Sequence, residues 1–235
     1  MAILGYTFLD ALQAAWVFLN GQKYAETEVG ADVIKTCINR AQAEVPASLG
    51  SLMFAGALYS SYTFPALGSV DIFDMSAATD PVLVPCAAEV QVNTTSGTWG
   101  TAGFALPERI LALARTAIGS SRNFSYGFLG KKMMVRPYIP AGGAAILHYL
   151  KVPTTLVQDA DPLTCDPRLF RSVCLYAAWL ASQKIPGIPA ERIDTLQKDS
   201  MQELGRLESL IAQAKVEEYV LRTGREEVGL PGGGQ

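Results

Sequence analysis

The sequence predicts an α+β fold: a helical bundle formed by N- and C-terminal helices, a central β-rich insertion and an extended C-terminal arm. Apolar residues recur at helical spacing in residues 1–47 and again in residues 165–215. Residues 48–164 are instead rich in Gly, Ser, Thr and Pro, carry few charges and contain short alternating runs typical of strands. Residues 216–235 mix apolar and charged residues and end in a glycine run. This last segment cannot form a core by itself, so we expect either an arm lying on a partner or a disordered end.

Two helices are predicted in the first segment. Thr7, with Asp10 three residues later, has the capping-box pattern that starts a helix, and Gly21 is expected to end this helix. A second helix is predicted from about residue 28 to residue 45. Pro46 is expected to end it, because proline lacks the backbone N–H that a helix interior needs.

The central segment contains several runs with the two-residue alternation of half-buried strands. The predicted strands are residues 69–73, 82–84, 89–95, 131–139 and 144–152. A Pro-Ala-Gly-Gly loop at 140–143 joins the last two as a hairpin, and residues 94–103 are expected to form a loop. His148 is expected to be a partly buried strand residue.

Residues 106–118 have two interpretations. Pro107 suits the first position of a helix, and Ile110, Leu113 and Ile118 fit a helical stripe. The same residues also fit a strand buried on both faces. The local pattern favours the helix.

The last third of the chain is predicted to be helical. Asp166 has the character of an N-cap, and Pro167 suits the first helical position after it. The helix that follows is apolar almost all round, which is typical of a helix covered by others or by a partner. A final helix with near-heptad spacing is predicted from about residue 190 to residue 215.

Charge and hydropathy limit the classes of function. The chain has 235 residues and a net charge of -3, which argues against a dominant nucleic-acid surface, since such a surface needs a clustered basic face. The charged fraction of 17% is low, as in proteins that hide surface in an assembly or in Ala- and Gly-rich chains with an ordinary surface. No targeting segment and no membrane span are expected.

The sequence contains no recognisable arrangement for catalysis, for a metal or for another cofactor, so we expect no enzyme. The four cysteines form no CxxC pair, and His148 is the single histidine. Asp159, Asp161 and Asp166 form the densest acidic cluster in a loop. Turn and cap chemistry explains this cluster, and the alternative is an enzyme with an unrecognised acidic site.

Two stretches are candidates for binding a partner. One combines basic and aromatic residues, a mixture that suits either a partner or DNA, or else an ordinary exposed hairpin face. Its members are Arg122, Phe124, Tyr126, Lys131, Lys132 and Arg136. The other is the C-terminal arm, whose apolar residues favour contact with a neighbouring subunit. Its candidate residues are Tyr219, Val220, Leu221, Arg222, Arg225, Leu230 and Pro231.

Four short motifs, taken in order along the chain, carry a resemblance to a known family. They are an Asn-Arg-Ala-Gln element within 38–42, a Leu-Pro step at 106–107, the run His-Tyr-Leu-Lys-Val-Pro at 148–153 and Asp-Pro-Arg-Leu-Phe at 166–170. Together with the order of helices, β-rich insertion and helices, the chain resembles the head-to-tail adaptor (connector) proteins of tailed bacteriophages, especially the short-tailed type. In that family the Leu-Pro step leads into a strand.

The resemblance implies a structural virion protein that joins the portal to the tail as a homo-oligomeric ring, usually a dodecamer. Its partners would be other copies of the chain, the portal protein, and a tail nozzle or tail tube protein. Double-stranded DNA would pass through the central channel without sequence-specific binding. The ring would assemble in the host cytoplasm and reside at the head-tail junction of the virion, with the arm clasping the portal. The alternative within viruses is another tail-completion or minor capsid protein.

Overall fold

The computed structural model describes residues 5–20, 30–66, 70–91, 99–113 and 124–227, the last twelve of them as backbone. The fold is mixed α+β, as the sequence predicts. The chain divides into two compact units. A helical unit comprises Met1–Met53, Leu156–Leu163 and Pro167–Gln235, and a β unit comprises Phe54–Thr155 and Thr164–Asp166. Residues 156–163 therefore group with the helices, although the sequence division places them in the β-rich insertion.

Helix α1 (Phe8–Asn20) begins with the predicted capping box. The Asp10 N–H donates to the Thr7 hydroxyl at 3.2 Å, and the Thr7 N–H donates to the Asp10 carboxylate at 2.8 Å. These bonds satisfy donors that the first helical turn leaves free. Phe8, Leu12 and Trp16 lie on the buried side of the helix. Gly21, the expected end, lies outside the described residues.

Helix α2 (Ala31–Leu49) passes through Pro46, so the prediction that Pro46 ends this helix is wrong. Pro46 lies in the last turn, where the missing N–H removes only one helical hydrogen bond. Gly50 ends the helix instead, with a φ of 54° in the left-handed region and its N–H donating to the Pro46 carbonyl at 3.1 Å. The predicted start near residue 28 lies outside the described residues.

The β unit is a sandwich of two four-stranded sheets. The strands are β1 (Tyr59–Pro65), β2 (Val70–Asp74), β3 (Val82–Gln91), β4 (Trp99–Thr101), β5 (Gly103–Phe104), β6 (Ser125–Leu129), β7 (Lys132–Ile139) and β8 (Ala144–Lys151). The first sheet has the order β1-β8-β3-β4 and is antiparallel, and the second has the order β2-β7-β6-β5, with β5 parallel to β6. Leu147 and Tyr149 from one sheet and Met133 and Val135 from the other form the core between them.

Several strands differ from the sequence-based expectation. The runs at 82–84 and 89–95 are one strand, β3, described through Gln91. Trp99–Thr101 was expected in a loop but pairs with β3 as strand β4. Strands β1 and β6 were not predicted. Strands β7 and β8 lie where the sequence predicts two strands, but the prediction that they form a hairpin is wrong. Strand β7 pairs with β2 and β6, and β8 pairs with β1 and β3, so the loop at 140–143, with Gly142 at a φ of 82°, connects the two sheets.

Helix α3 (Pro107–Ala112) settles the local ambiguity in favour of a helix over those residues. Residues 114–118 lie outside the described residues. Pro107 is in the first turn, as predicted, and Ile110 is fully buried. The helix lies over β6 at Gly127, where an added Cβ would meet the Ala105 carbonyl oxygen at 2.6 Å. Glycine at this position therefore permits the close approach.

Of the two C-terminal helices, the first begins later than predicted, and the second begins where predicted but ends later. Pro167–Leu169 form a 3₁₀ turn, and helix α4 (Phe170–Ser182) starts after it with Leu169 at the N-cap, so the assignment of Asp166 as N-cap is wrong. Helix α5 runs over Ala190–Glu227. Residues 216–227 are thus helical and not an extended arm, because the helical pattern of Ala, Glu, Val, Leu and Arg continues past residue 215. Residues 228–235 lie outside the described residues.

Candidate functional site

The basic and aromatic stretch does not form one surface. Phe124 and Tyr126 are 8% and 5% exposed and belong to the core of the sandwich. The Tyr126 hydroxyl donates to the Cys86 carbonyl at 3.3 Å, and burial raises the pKa of this phenol. The prediction that these rings face a partner or DNA is wrong, because alternation along β6 turns them toward the opposite sheet.

Arg136, from the same set, is 2% exposed and therefore is not a surface residue either. Its guanidinium Nη1 lies 2.6 Å from the Asp71 carboxylate and donates to the Val135 carbonyl at 3.2 Å. The pairing of β2 with β7 shifts register between Val70 and Ile72, at the position of Asp71. This irregularity in the strand coincides with the carboxylate that pairs with the buried cation.

Lys131 and Lys132 are exposed, as expected for a surface contact. They follow Gly130, which has a φ of 59°, at the turn between β6 and β7. Asp74 is close to both lysines, and hydrogen bonds from Ser76, with a smaller contribution from the lysines, lower the pKa of its carboxyl. Arg122 lies outside the described residues. Of this set, the described part of the chain leaves only the two lysines on the surface, beside a carboxylate that offsets their charge.

A cavity of about 510 Å³ adjoins this turn. Its lining includes Met75, Asp80, Pro81, Phe128 and Lys131. The Asp80 carboxylate accepts from the Ser60 hydroxyl at 2.9 Å. The lining therefore combines apolar walls with one carboxylate and one ammonium group, a composition typical of a general protein surface.

His148 makes a cross-strand contact that the sequence did not reveal. Its Nδ1 lies 2.9 Å from the Tyr59 hydroxyl on β1, and its Nε2 lies 3.5 Å from the Glu89 carboxylate on β3. Strand β8 pairs with both neighbours, so the imidazole bridges three strands on one face of the sheet. Only Nδ1 is hydrogen-bonded, since Nε2 is buried and makes no hydrogen bond within the described residues.

The acidic loop is occupied by structural contacts. The Asp161 carboxylate accepts the N–H groups of Val157 and Gln158 at 2.7 and 2.8 Å, and these bonds lower its pKa. The Asp159 carboxylate lies 2.9 Å from the Lys35 ammonium group of α2. The turn chemistry expected from the sequence accounts for Asp161, whereas Asp159 forms an ion pair with a helix distant in the sequence.

The cysteines are all free thiols. Cys37, Cys165 and Cys174 are buried, and burial raises the pKa of the Cys165 thiol to about 12. A thiol with so high a pKa is a poor nucleophile at neutral pH. Within the described residues, no three side chains of His, Cys, Asp or Glu come together as a metal site would require.

The surface beside α1 contains a groove that sequence reasoning missed. It has a volume of about 530 Å³ and is lined by Tyr6, Asp10, Gln13, Val17, Phe18 and Phe170, among others. The Tyr6 and Phe170 rings stack with centroids 3.7 Å apart. The signal was the spacing of three and four residues between Asp10, Gln13 and Val17, which puts them on one side of α1, away from its buried face. Tyr6 precedes the helix.

The candidate residues of the C-terminal segment fall into two groups. The first group belongs to α5, in the part that the structure describes as backbone. Its members are Tyr219, Val220, Leu221, Arg222 and Arg225. Leu230 and Pro231 lie outside the described residues.

Comparison of the sequence with protein-family models and with curated proteins finds no match. Among the helices that the structure describes, none has the length and apolar character needed to cross a lipid bilayer. The architecture of the chain and its surfaces are therefore the features that bear on its function.

Proposed function

We propose that this chain is a structural virion protein that joins the portal to the tail as an oligomeric ring around a DNA channel. The observation that carries the proposal is the order in which the two units are encoded along the chain. Helices from both ends of the chain form one unit, and a β sandwich is inserted between them in the sequence. This is the order of elements that the resemblance to head-to-tail adaptor proteins implies.

The exposed surface of α5 supports an assembling protein. Over residues 190–215 the buried side chains are Leu196, Ser200, Leu207 and Ile211. Met201 and Leu210 are 48% and 36% exposed. A helix with one narrow buried seam and apolar residues outside that seam gains stability when another polypeptide covers it.

The charge of the chain suits a channel through which DNA moves. Lysines and arginines that neutralise phosphates hold DNA tightly through counterion release. The chain has a net charge of -3. Arg136, one of the basic candidates for binding DNA, is buried in an ion pair with Asp71. A ring of such chains would surround DNA without binding its phosphates tightly.

The alternative of an enzyme with an acidic site is less well supported. Asp159 and Asp161 are engaged by Lys35 and by backbone N–H groups, so neither carboxylate is poised for acid-base chemistry. Calorimetric titration with Mg²⁺ and Mn²⁺ tests this point. We expect no binding to the wild-type chain, and saturable binding lost in Asp159→Asn would favour the enzyme.

Electron microscopy of the chain mixed with its portal tests the proposed function. We expect negatively stained portal rings to gain an additional ring of density along their axis when the chain is added. A ring that never contacts the portal but joins other tail components would favour a tail-completion protein. A chain that stays dispersed with portal and tail present would contradict both.

A further inference from the structure

We infer that strand β1 of one copy pairs antiparallel with strand β1 of a second copy when the chain is free in solution. The pairing joins two four-stranded sheets of the order β1-β8-β3-β4 into one continuous sheet. The inference goes beyond the proposed function, because it concerns two copies of the chain without a portal.

Strand β1 is an edge that no other described strand covers. It pairs with β8 on one side, in continuous register from Tyr59↔Leu150 to Pro65↔Ala144. Positions 59, 61 and 63 are exposed. On the other side of β1, the backbone N–H and C=O groups therefore have no strand to bond within the described part of the chain.

The direction of these backbone groups follows from the register. The Ala66 N–H donates to the Gly143 carbonyl at 2.9 Å, so the backbone of residue 66 is directed toward β8. Backbone groups alternate along an antiparallel strand, so every second residue back from Ala66 is also directed toward β8. The N–H and C=O groups of Tyr59, Ser61 and Thr63 are then directed out of the sheet, where a further strand would bond them.

The other three described edges of the sandwich carry features that oppose such pairing. Strands β4 and β5 are described as three and two residues long, which is too short to hold a further strand. Strand β2 carries the carboxyl groups of Asp71 and Asp74, and its register shifts between Val70 and Ile72. Short length, charge and irregular register are the means by which sheets protect an edge from association.

Strand β1 has none of these features. It is seven residues long, pairs with β8 without a register shift and contains no charged residue. Its proline, Pro65, is the last residue, so it ends the strand and does not interrupt it. An edge of this length and regularity is a surface for adding a strand.

A second copy of β1 fits this edge. The two strands have equal length, and no charged side chain of one would lie opposite a like charge of the other. Full overlap centres the pair on Tyr62 and places Ser61 of each copy opposite Thr63 of the other, a hydroxyl pair that favours antiparallel strands. The nearby Asp80 carboxylate accepts from the Ser60 hydroxyl, and alternation puts the Ser60 side chain on the opposite face of the strand from Ser61.

The symmetry of this contact limits it to two copies. Antiparallel pairing of one strand with itself is related by a two-fold axis, so each copy uses its β1 edge once and the contact is closed. A ring requires head-to-tail contacts between different surfaces. The β1 pair is therefore separate from the contacts that would form the proposed ring.

Charge complementation, measured by sedimentation of the free chain, tests the inference. We expect the mass of the wild type to rise with concentration from 25.2 kDa toward twice that value. The double variant Ser61→Lys, Thr63→Lys is expected to weaken association about 10-fold, because it puts like charges opposite each other, and so is Ser61→Glu, Thr63→Glu. An equimolar mixture of the two is expected to form the dimer again, since lysines then face glutamates.

The matched control is Val152→Lys, which adds a charge at an exposed valine of the β unit outside β1. We expect this variant to associate as the wild type does. Circular dichroism of all the variants checks that the sheets remain folded. Failure of the mixture to associate, with both double variants folded, would overturn the inference.

Hydrogen exchange of the β1 amides gives a second readout. The amides of Ser61 and Thr63 are expected to exchange more slowly as the concentration of the wild type rises, and to show no such change in the lysine variant. A wild type that is still a monomer at about 1 mM would overturn the inference. Slow exchange of these amides in a monomer would also overturn it, because the chain would then cover its own edge.

The outcomes for the two proposals are distinguishable. A chain that is monomeric when free but forms rings on the portal would contradict the inference and leave the proposed function intact. A chain that pairs through β1 but never binds a portal would contradict the proposed function alone.

Discussion

At the scale of single residues, the ion pair of Arg136 and Asp71 places a buried cation in the β unit. Arg136 is 2% exposed, and its Nη1 lies 2.6 Å from the Asp71 carboxylate. Its Nε is buried and makes no hydrogen bond within the described residues. A buried cation that loses its partner is costly, because neither water nor another charge then compensates it.

We therefore expect Asp71→Asn to destabilise the chain by about 3 kcal/mol, since it leaves the buried guanidinium without its counter-charge. The double variant Asp71→Asn, Arg136→Met is expected to regain most of that loss, because it removes the buried charge as well. Urea unfolding at pH 7 measures both. Lys131→Met, which removes an exposed charge, is the control, and a single variant as stable as this control would contradict the assignment.

The Asp161 carboxyl predicts a dependence of stability on pH. Backbone N–H groups lower its pKa in the folded chain, so its contribution is present above the unfolded pKa, near 3.9, and is lost as the pH falls through the folded pKa. Asp161→Asn is expected to lose less stability than the wild type between pH 5 and pH 2. Denaturant unfolding across this range, with Asp194→Asn as the exposed control, measures the difference. Equal losses in the wild type and Asp161→Asn would contradict the assigned role.

The residue contacts show where reasoning from the sequence ends. The Thr7 and Asp10 capping box was predictable, because its partners are three residues apart. The partners of Arg136 and His148 lie 65 and 89 residues away, at Asp71 and Tyr59, so no local pattern identifies them. Arg136 was assigned to the surface because arginine is rarely buried unless it is paired, and its pairing is set by the register of β2 and β7.

At the scale of elements, helices with an apolar face were predictable, whereas strands β1 and β6 were not. Helices α1, α2 and α4 have clear apolar stripes, and all three were expected. Strand β1, with the sequence Tyr-Ser-Ser-Tyr-Thr-Phe-Pro, is an edge strand with mostly polar positions, so its alternation gave a weak signal. The end of α5 was missed because the mixture of charged and apolar residues after position 215 resembles the composition of a polar tail.

The contact of α3 with β6 gives a prediction for an element. Gly127→Ala is expected to destabilise the chain by about 1–3 kcal/mol, because the new methyl group would meet the Ala105 carbonyl and Ile110. Gly103→Ala is the matched control, since its Cβ would have its nearest neighbour at 3.9 Å. Thermal unfolding of both variants measures the difference. Equal stability would show that α3 does not lie closely on Gly127.

At the scale of the whole molecule, the chain combines a helical unit that includes the 38-residue helix α5 and a β sandwich inserted in the sequence. The hydrophobic fraction of 49% supplies cores for both units and leaves apolar groups on the surface of α1 and α5. The sequence predicted the composition of these units. It did not predict the α1 groove, because a groove depends on how helices pack.

The mass of the complex formed by the purified chain and its portal, determined by native mass spectrometry, tests the proposed function most directly. We expect the complex to contain a whole number of copies of the 25.2 kDa chain that matches the portal symmetry, near twelve. A chain that remains a monomer in the presence of the portal, with no mass added to the portal ring, would contradict the proposal.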